Sequence, residues 1–558
     1  MAAASIATSS LQVSCSTIAA ESKLLPRRGF CLFAPGKSIS LPPTLATSSL
    51  GSIIGMQRHP NLQISIYIDV KIHGSARKNF WVKNSATAAE ISSSKQQNVP
   101  SFGPDDFVFD LAEKLEELDY VSALSATGKE ALSHLREHSA ETTLSLQWPT
   151  NKVEAYRFTD LRFLRNSNVE PVRQCPQDTG IELADFGIRS NADIHLVFAD
   201  GVISSSSSNW KDGVFVGSIA ALSDDHIEEF VIKKLGKSAE WINTDFFASL
   251  NGIGVRELGV VIVPEGVKMQ SPLHIIYHSS EGGSKDGEKQ SYALSCPRLL
   301  VLVGKEAEVT IIEEFVGEKG EFYWSNAVGE FFIEEHGRIC HNYVQNQARE
   351  AVHIKQTCVA QKQCSSYELV EAAIGSKLNR HNIHIQQLGP DTSTKMSSFL
   401  LAGQRQLQDL HSRLILSHPR GFARQLHKCI VMHSSGHGVF DGNVKVNRYA
   451  QQTDAGQLSR SLLLAPRATV SVKPNLQIIA DDVKCSHGAA ISDLEEEQIF
   501  YFQARGIDPQ TARSTLVFSF GAEILQQFKN KNLQQRAEKT VMEFLQSEGA
   551  IKTSIQEA

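Results

Sequence analysis

The chain has 558 residues, nine cysteines and a formal net charge of −6, with 41% apolar and 21% charged residues. That length allows two or three domains and a large core, and the acidic balance gives no attraction to nucleic acid or an anionic membrane, so neither is expected as a partner. Every apolar run is broken by Gly, Lys or Glu well short of the roughly 18–20 residues that a membrane-spanning helix needs.

Between residues 1 and 68 one acid, Glu21, stands against Lys23, Arg27, Arg28, Lys37 and Arg58 in a background of Ser, Thr and Ala. This is the composition of an organelle transit peptide. A continuous apolar stretch of the secretory kind is missing, as is an Arg-rich amphipathic helix, so the expected address is the chloroplast stroma. LQISIYIDVKI within residues 62–82 alternates like a strand and has no assigned role, and residues 85–104 read as a flexible lead-in. Residues 1–102 are therefore set apart from the folded chain. Cys15 and Cys31 fall there; the other seven cysteines are scattered without a C-x-x-C, which argues for reduced, mostly buried thiols and against a disulfide framework or a self-contained metal site.

Residues 103–192 read as helical. Asp105 and Asp106 precede an apolar stripe of Phe107, Val108, Leu111, Leu115 and Leu118, and a second helix is expected over about 127–138. From 193 to 491 the texture becomes short apolar runs such as IHLVFADGVI, GVVIVPEGV and VTIIEEFV, bounded by Gly, Asn, Asp or charged pairs, with helical periodicity missing. This stretch is mainly β, and its length suits stacked coils better than one sandwich. Helices return over 492–558. Ser492 and Glu495 form a capping box, Gly506 a stop, and Asp508 a cap with Pro509 at the first position. Ala512, Leu516, Val517, Phe520, Ile524 and Phe528 mark an apolar face, expected to pack in part on Ile499, Phe500 and Phe502, and a last helix covers about 533–546.

Gly236-Lys237-Ser238 ends like a phosphate loop, but Val231 stands where its first glycine is required, so no ATP site is expected. Gly436, Gly438 and Gly442 are read as tight turns. His411, His418, His427, His433 and His437 lack a repeating ligand spacing and are read as solvated or hydrogen-bonded. Asp481 and Asp482 are read as turn residues. Cys485 and His487, two residues apart on a strand, point to one face and are side chains that a soft or borderline metal prefers, but two ligands are not a complete site, and by itself so short a motif is more often a buried Cys and a hydrogen-bonded His near a strand end.

The runs ADDVKCSHGA, QQTDAGQLSRSLLL, QIFYFQARGI and GHGVFDGNVKV, with Trp148 and Tyr156-Arg157-Phe158-Thr159 ahead of them, resemble the SufB/SufD family of iron–sulfur cluster assembly proteins. The likeness covers about Trp148 to the C-terminus, with Tyr156 where Trp is more usual. Gly488 after His487 follows the SufD branch; the SufB branch tends to carry His-Glu. The resemblance implies a right-handed parallel β-helix flanked by N- and C-terminal helical domains, and a non-catalytic scaffold. It further implies pairing with a SufB-like paralogue through the β-helices, a homodimer being the alternative, and a SufC-like ABC ATPase docking at Arg505, Gly506, Asp508, Pro509, Leu516 and Phe520. A transient iron–sulfur cluster would form where the paralogues meet, with His487 as the better ligand and Cys485 as the weaker. No nucleotide is expected on this chain, and a flavin in such a complex would bind elsewhere. Cutting after Asp493 is expected to leave the β-helix soluble. The rival reading is a β-helix enzyme on carbohydrate, using Asp454, Asp481 and Asp482.

Overall fold

Successive strands from Glu308–Gly317 to Val483–Ser492 alternate between two sheets, each pairing in parallel with the strand two places further along. The computed structural model describes residues 105–556 except 174–180, 189–192, 212, 241–244, 281, 284 and 287–288. The expectations for residues 1–102 lie outside the described residues. The result is a parallel β-solenoid of about seven turns. Helices flank it on both sides, as expected.

The coil repeat is marked at one corner by residues in the left-handed region: Glu306, His336, Cys364, Asp391, Arg420 and Gln452, all at φ near +57°. Each donates its backbone N–H to the next coil, His336 to the Gln363 carbonyl at 3.0 Å and Arg420 to the Gln451 carbonyl at 2.8 Å. Left-handed backbone is costly without glycine. The inter-coil bond holds it there.

The interior is an apolar stack that includes Val301, Ile311, Leu369, Met396, Leu410 and Phe440. Charged groups lie within it. Glu313 accepts from Lys355 and from His341 Nε2 at 2.9 Å, and His341 Nδ1 lies 2.9 Å from the Tyr367 hydroxyl. Burial alone would raise the Glu313 carboxyl, but Lys355 and His341 outweigh it and hold the group well below the usual carboxylate range.

Helices Asp106–Glu116 and Ala126–Ser145 start at Asp105 and Ser125, whose side chains accept from Phe107 N and Gly128 N. Helical pieces fall where no helical periodicity was expected: the short turns Ile219–Ala221, Asp224–His226, Ile227–Val231 and Lys237–Glu240, and the helix Phe246–Gly254. The last, FFASLNGIG, is buried almost all round and so shows no polar face. Trp148 joins these parts, meeting Phe107, Phe246, Phe247 and Trp324 edge-on at 5.0, 5.4, 5.8 and 6.5 Å. Downstream, Thr159 Oγ1 donates to Asp409 at 2.5 Å, and the Tyr156 ring lies 4.1 Å from the Arg380 guanidinium, itself 2.5 Å from Asp409. The Tyr156-to-Thr159 motif thus straps the N-terminal region to the solenoid.

Helices Pro509–Leu525 and Lys531–Gln556 lie along the outer face of the second sheet. Val517, Ile524, Phe528, Leu533, Val541 and Leu545 cover Ile312, Val344, Val370, Phe399, Leu401, Ile430 and Leu462. Gly521 permits the approach, since a Cβ there would lie 2.7 Å from the Phe399 ring. These helices cover an apolar sheet face, which weighs against the expectation that the β-helix would stay soluble without them. Two finer expectations also change. Ser492 ends a strand and Glu495 caps helix Glu496–Gln503 without a side-chain bond, so the capping box does not form. Phe500 faces solvent at 69% exposure rather than packing on the next helix.

Candidate functional site at the end of the solenoid

Strands Thr469–Ile478 and Val483–Ser492 are the last rungs of the two sheets, each paired on one side only. Their outer edges carry unpaired backbone groups along strands of ten residues apiece, interrupted on the first by Pro474, which has no N–H. Val470, Val472, Leu476, Val483 and Cys485 pack down on the core from these strands. Ile478, Ile479 and Ile491 are 45–50% exposed beside them. The interior of the solenoid is therefore open at this end.

Cys485 and His487 sit on this last rung. Cys485 pairs with Ala455 and is half-buried against the core; His487 pairs with Gln457 and is exposed. By strand alternation both side chains belong to the inward face, the one an added coil would cover. Burial raises the Cys485 thiol, which disfavours the thiolate that ligates a metal. The imidazole needs no such ionisation. Among the described residues no three His, Cys, Asp or Glu side chains converge as a metal-binding group. Two donors on one rung are half of what a cluster requires.

The other singled-out residues lie in the helical segment that follows this rung. Arg505 is exposed, with its guanidinium 3.5 Å over the Tyr501 ring, and Gly506 takes φ +80°. Asp508 caps the next helix by accepting from Gln510 N and Thr511 N at 3.0 and 2.9 Å, with Pro509 in its first turn. The hydrogen bond from Thr511 lowers its carboxyl. Leu516 and Phe520 are half-buried, and Phe520 lies under Lys428 Nζ, 4.3 Å from its ring. Phe520 is thus committed to packing. Phe500, expected to pack on the next helix, and Tyr501 are the exposed aromatic pair beside Arg505.

The remaining motifs resolve into packing. Gly236 N and Ser238 Oγ donate to Glu330 at 3.2 and 2.5 Å, and Glu330 accepts from Arg298 at 2.8 Å. The loop that resembles a phosphate site closes on the protein's own carboxylate. Gly438 and Gly442 lie within strand His437–Val446, not in turns; they make room for Cys429 Sγ and the Gln457 amide. The histidines scatter: His411 is 2.8 Å from Asp409, His433 2.9 Å from Ser435, His437 3.1 Å from Ser471, and buried His427 stacks on Phe440. Asp454 is bound by Arg424 at 2.9 Å, while Asp482 closes a corner through Gln451 and Gln452.

The chain is a parallel β-solenoid protein with helices packed along one sheet face and one open end, whose last rung carries Cys485 and His487. Residues 118–275 match the SufBD protein N-terminal region and residues 285–520 the SUF system FeS cluster assembly, SufBD core domain. The chain is 49% identical over 440 residues to Protein ABCI7, chloroplastic, of Arabidopsis thaliana, covering 78% of this chain and 90% of that one. It is 32% identical over 443 residues to an iron–sulfur cluster assembly SufBD family protein of Synechocystis, covering 77% and 95%. It is 27% identical over 390 residues to the iron–sulfur cluster assembly protein SufD of Escherichia coli, covering 70% and 87%. The chain belongs to the SufBD family of the SUF iron–sulfur cluster assembly system.

Proposed function

We propose that this chain is the SufD-type, non-catalytic scaffold subunit of a SUF complex in the chloroplast stroma. In this reading its last coil pairs with the last coil of a SufB-like paralogue, and His487, with Cys485 as a weaker donor, lends ligation to a nascent iron–sulfur cluster built between them. The cluster is cargo, held in part by the partner and released when the halves separate. The observation that carries the reading is the open end itself: two adjacent ten-residue edges with free N–H and C=O groups, apolar residues between them, and a thiol and an imidazole on the face a further coil would cover. A second solenoid end supplies matching edges and the missing ligands. Motion for release comes from a SufC-like ATPase seated on Phe500, Tyr501, Arg505 and the Asp508 helix start.

The test is reconstitution of the mature chain with SufB-like and SufC-like partners, measuring iron and acid-labile sulfide per complex. His487→Ala leaves complex formation intact and lowers loading strongly; Cys485→Ser lowers it less. Full loading of the His487→Ala complex would sink the ligand role. Turnover of a polyuronide by the isolated chain would favour the carbohydrate enzyme instead.

A further inference from the structure

The ladder that ends at His487 changes chemistry along the solenoid. Its successive inward rungs are Leu369, Met396, Gln425, Gln457 and His487. Apolar side chains give way to two amides immediately before the histidine. A buried amide is costly unless its polar atoms are paired, so packing alone favours more Leu or Met there.

The amides form a directed chain. Gln425 Nε2 donates to the Ser412 hydroxyl at 2.6 Å, and Gln425 Oε1 accepts from Gln457 Nε2 at 2.8 Å. That leaves Gln457 Oε1 as an acceptor with no partner, on a residue only 3% exposed. The opposite sheet is shaped for this amide, because a Cβ on Gly442 would lie 2.2 Å from Gln457 Nε2. Neighbouring rungs are about 4.8 Å apart. A glutamine side chain spans that gap to the imidazole on the same face.

We propose that Gln457 is a positioning residue for His487: its free Oε1 accepts the N–H of one imidazole nitrogen, turns the ring, and presents the other nitrogen to the metal of the nascent cluster. Ligating histidines are oriented this way by an acceptor behind them, and loss of such a partner weakens metal binding by about 10- to 100-fold. The inference rests on His487 being a ligand.

The test uses the mature chain in complex with its SufB-like and SufC-like partners. One variant is Gln457→Met; the second, Gln425→Met with Gln457→Met, strands no amide and continues the ladder begun by Leu369 and Met396. Both variants are expected to keep the melting temperature within a few degrees and to lose about tenfold in iron loading at limiting iron. Adding His487→Ala to either should bring no further loss beyond His487→Ala alone. In 15N-histidine-labelled complex, His487 is expected as one dominant tautomer in the parent and as a mixture in the Met variants. An unchanged tautomer, or the same tenfold loss on top of His487→Ala, overturns the positioning role. Undiminished loading by His487→Ala alone instead overturns the ligand reading, and the tautomer measurement still decides whether Gln457 orients the ring.

Discussion

Removing residues 494–558 should leave a chain that cannot remain folded in solution. The cut uncovers Ile312, Val344, Val370, Phe399, Leu401, Ile430 and Leu462 on the outer sheet face. Fully burying one such side chain is worth about 1.5–3 kcal/mol, so seven represent roughly 10–20 kcal/mol before allowance for residual burial in the unfolded chain. A whole domain has a margin of only about 5–15 kcal/mol. The cut also releases Arg536 from buried Glu314, with which it forms two 2.7 Å bonds, and Glu523 from Lys428. Expression followed by size exclusion and thermal melting is the assay, with insoluble protein or large aggregates as the outcome. A monomeric truncated chain melting within a few degrees of the parent would refute the claim that these helices must cover that face. Phe500→Ala with Tyr501→Ala provides the contrast, since both side chains are mostly solvent-exposed. That double variant should change stability by about 0.5 kcal/mol or less, yet lose the ATPase in a pull-down.

Stability should fall as the pH drops from 7 toward 4, because burial pulls the imidazoles of His427 and His384 down to about 3 and that of His274 to about 4. An unfolded imidazole takes its proton near 6.5, so across this window the unfolded state binds more protons, costing up to about 1.4 kcal/mol per pH unit for each histidine. Urea midpoints that stay flat between pH 7 and 5 would contradict this, and His427→Phe should shallow the slope. Asp409→Asn should cost about 3–5 kcal/mol, since it strands the guanidinium of buried Arg380; a loss under about 1 kcal/mol in urea unfolding would show the strap to be incidental. Residues 1–102 fused to a fluorescent reporter should carry it into chloroplasts, and retention in the cytosol would count against the transit reading.

What could be read from the sequence was whatever local chemistry decides. The Asp508–Pro509 start appears as a capped helix, and the C-x-H spacing puts both side chains on one strand face. The coil repeat stayed hidden because its left-handed corners use Glu, His, Cys, Asp, Arg and Gln, of which only Asp and His lean toward positive φ. Their backbone is imposed by the neighbouring coil, a tertiary effect. Helix Phe246–Gly254 was missed for a related reason, since an element buried on all sides has no polar face to set a period. That Cys485 and His487 lie on the last strand was legible, since helical texture returns at 492; that this strand has an unpaired edge was not, because pairing is set by the stacking of coils.

An open solenoid end has to be kept in shape without being covered, and the two sides of the last coil are held differently. On the first sheet Lys473 bonds to Glu154, two residues ahead of the strap, at 2.5 Å and to Asp441 of the preceding coil at 3.2 Å. Asp441 in turn lies 3.9 Å from His411, which bonds to Asp409 at the centre of the strap's attachment. On the second sheet Arg513 of the C-terminal helix donates to the Leu464 carbonyl at 2.9 Å, just past the penultimate rung. Both sets of contacts act from outside the solenoid, through polar groups, and leave the inward face and the strand edges alone. Rigid flanks around an unpaired edge restrict the partner to a surface with the same strand spacing and register. A strand edge of matching spacing and register meets that demand, and the end coil of another solenoid, as proposed above, would supply two such edges at once.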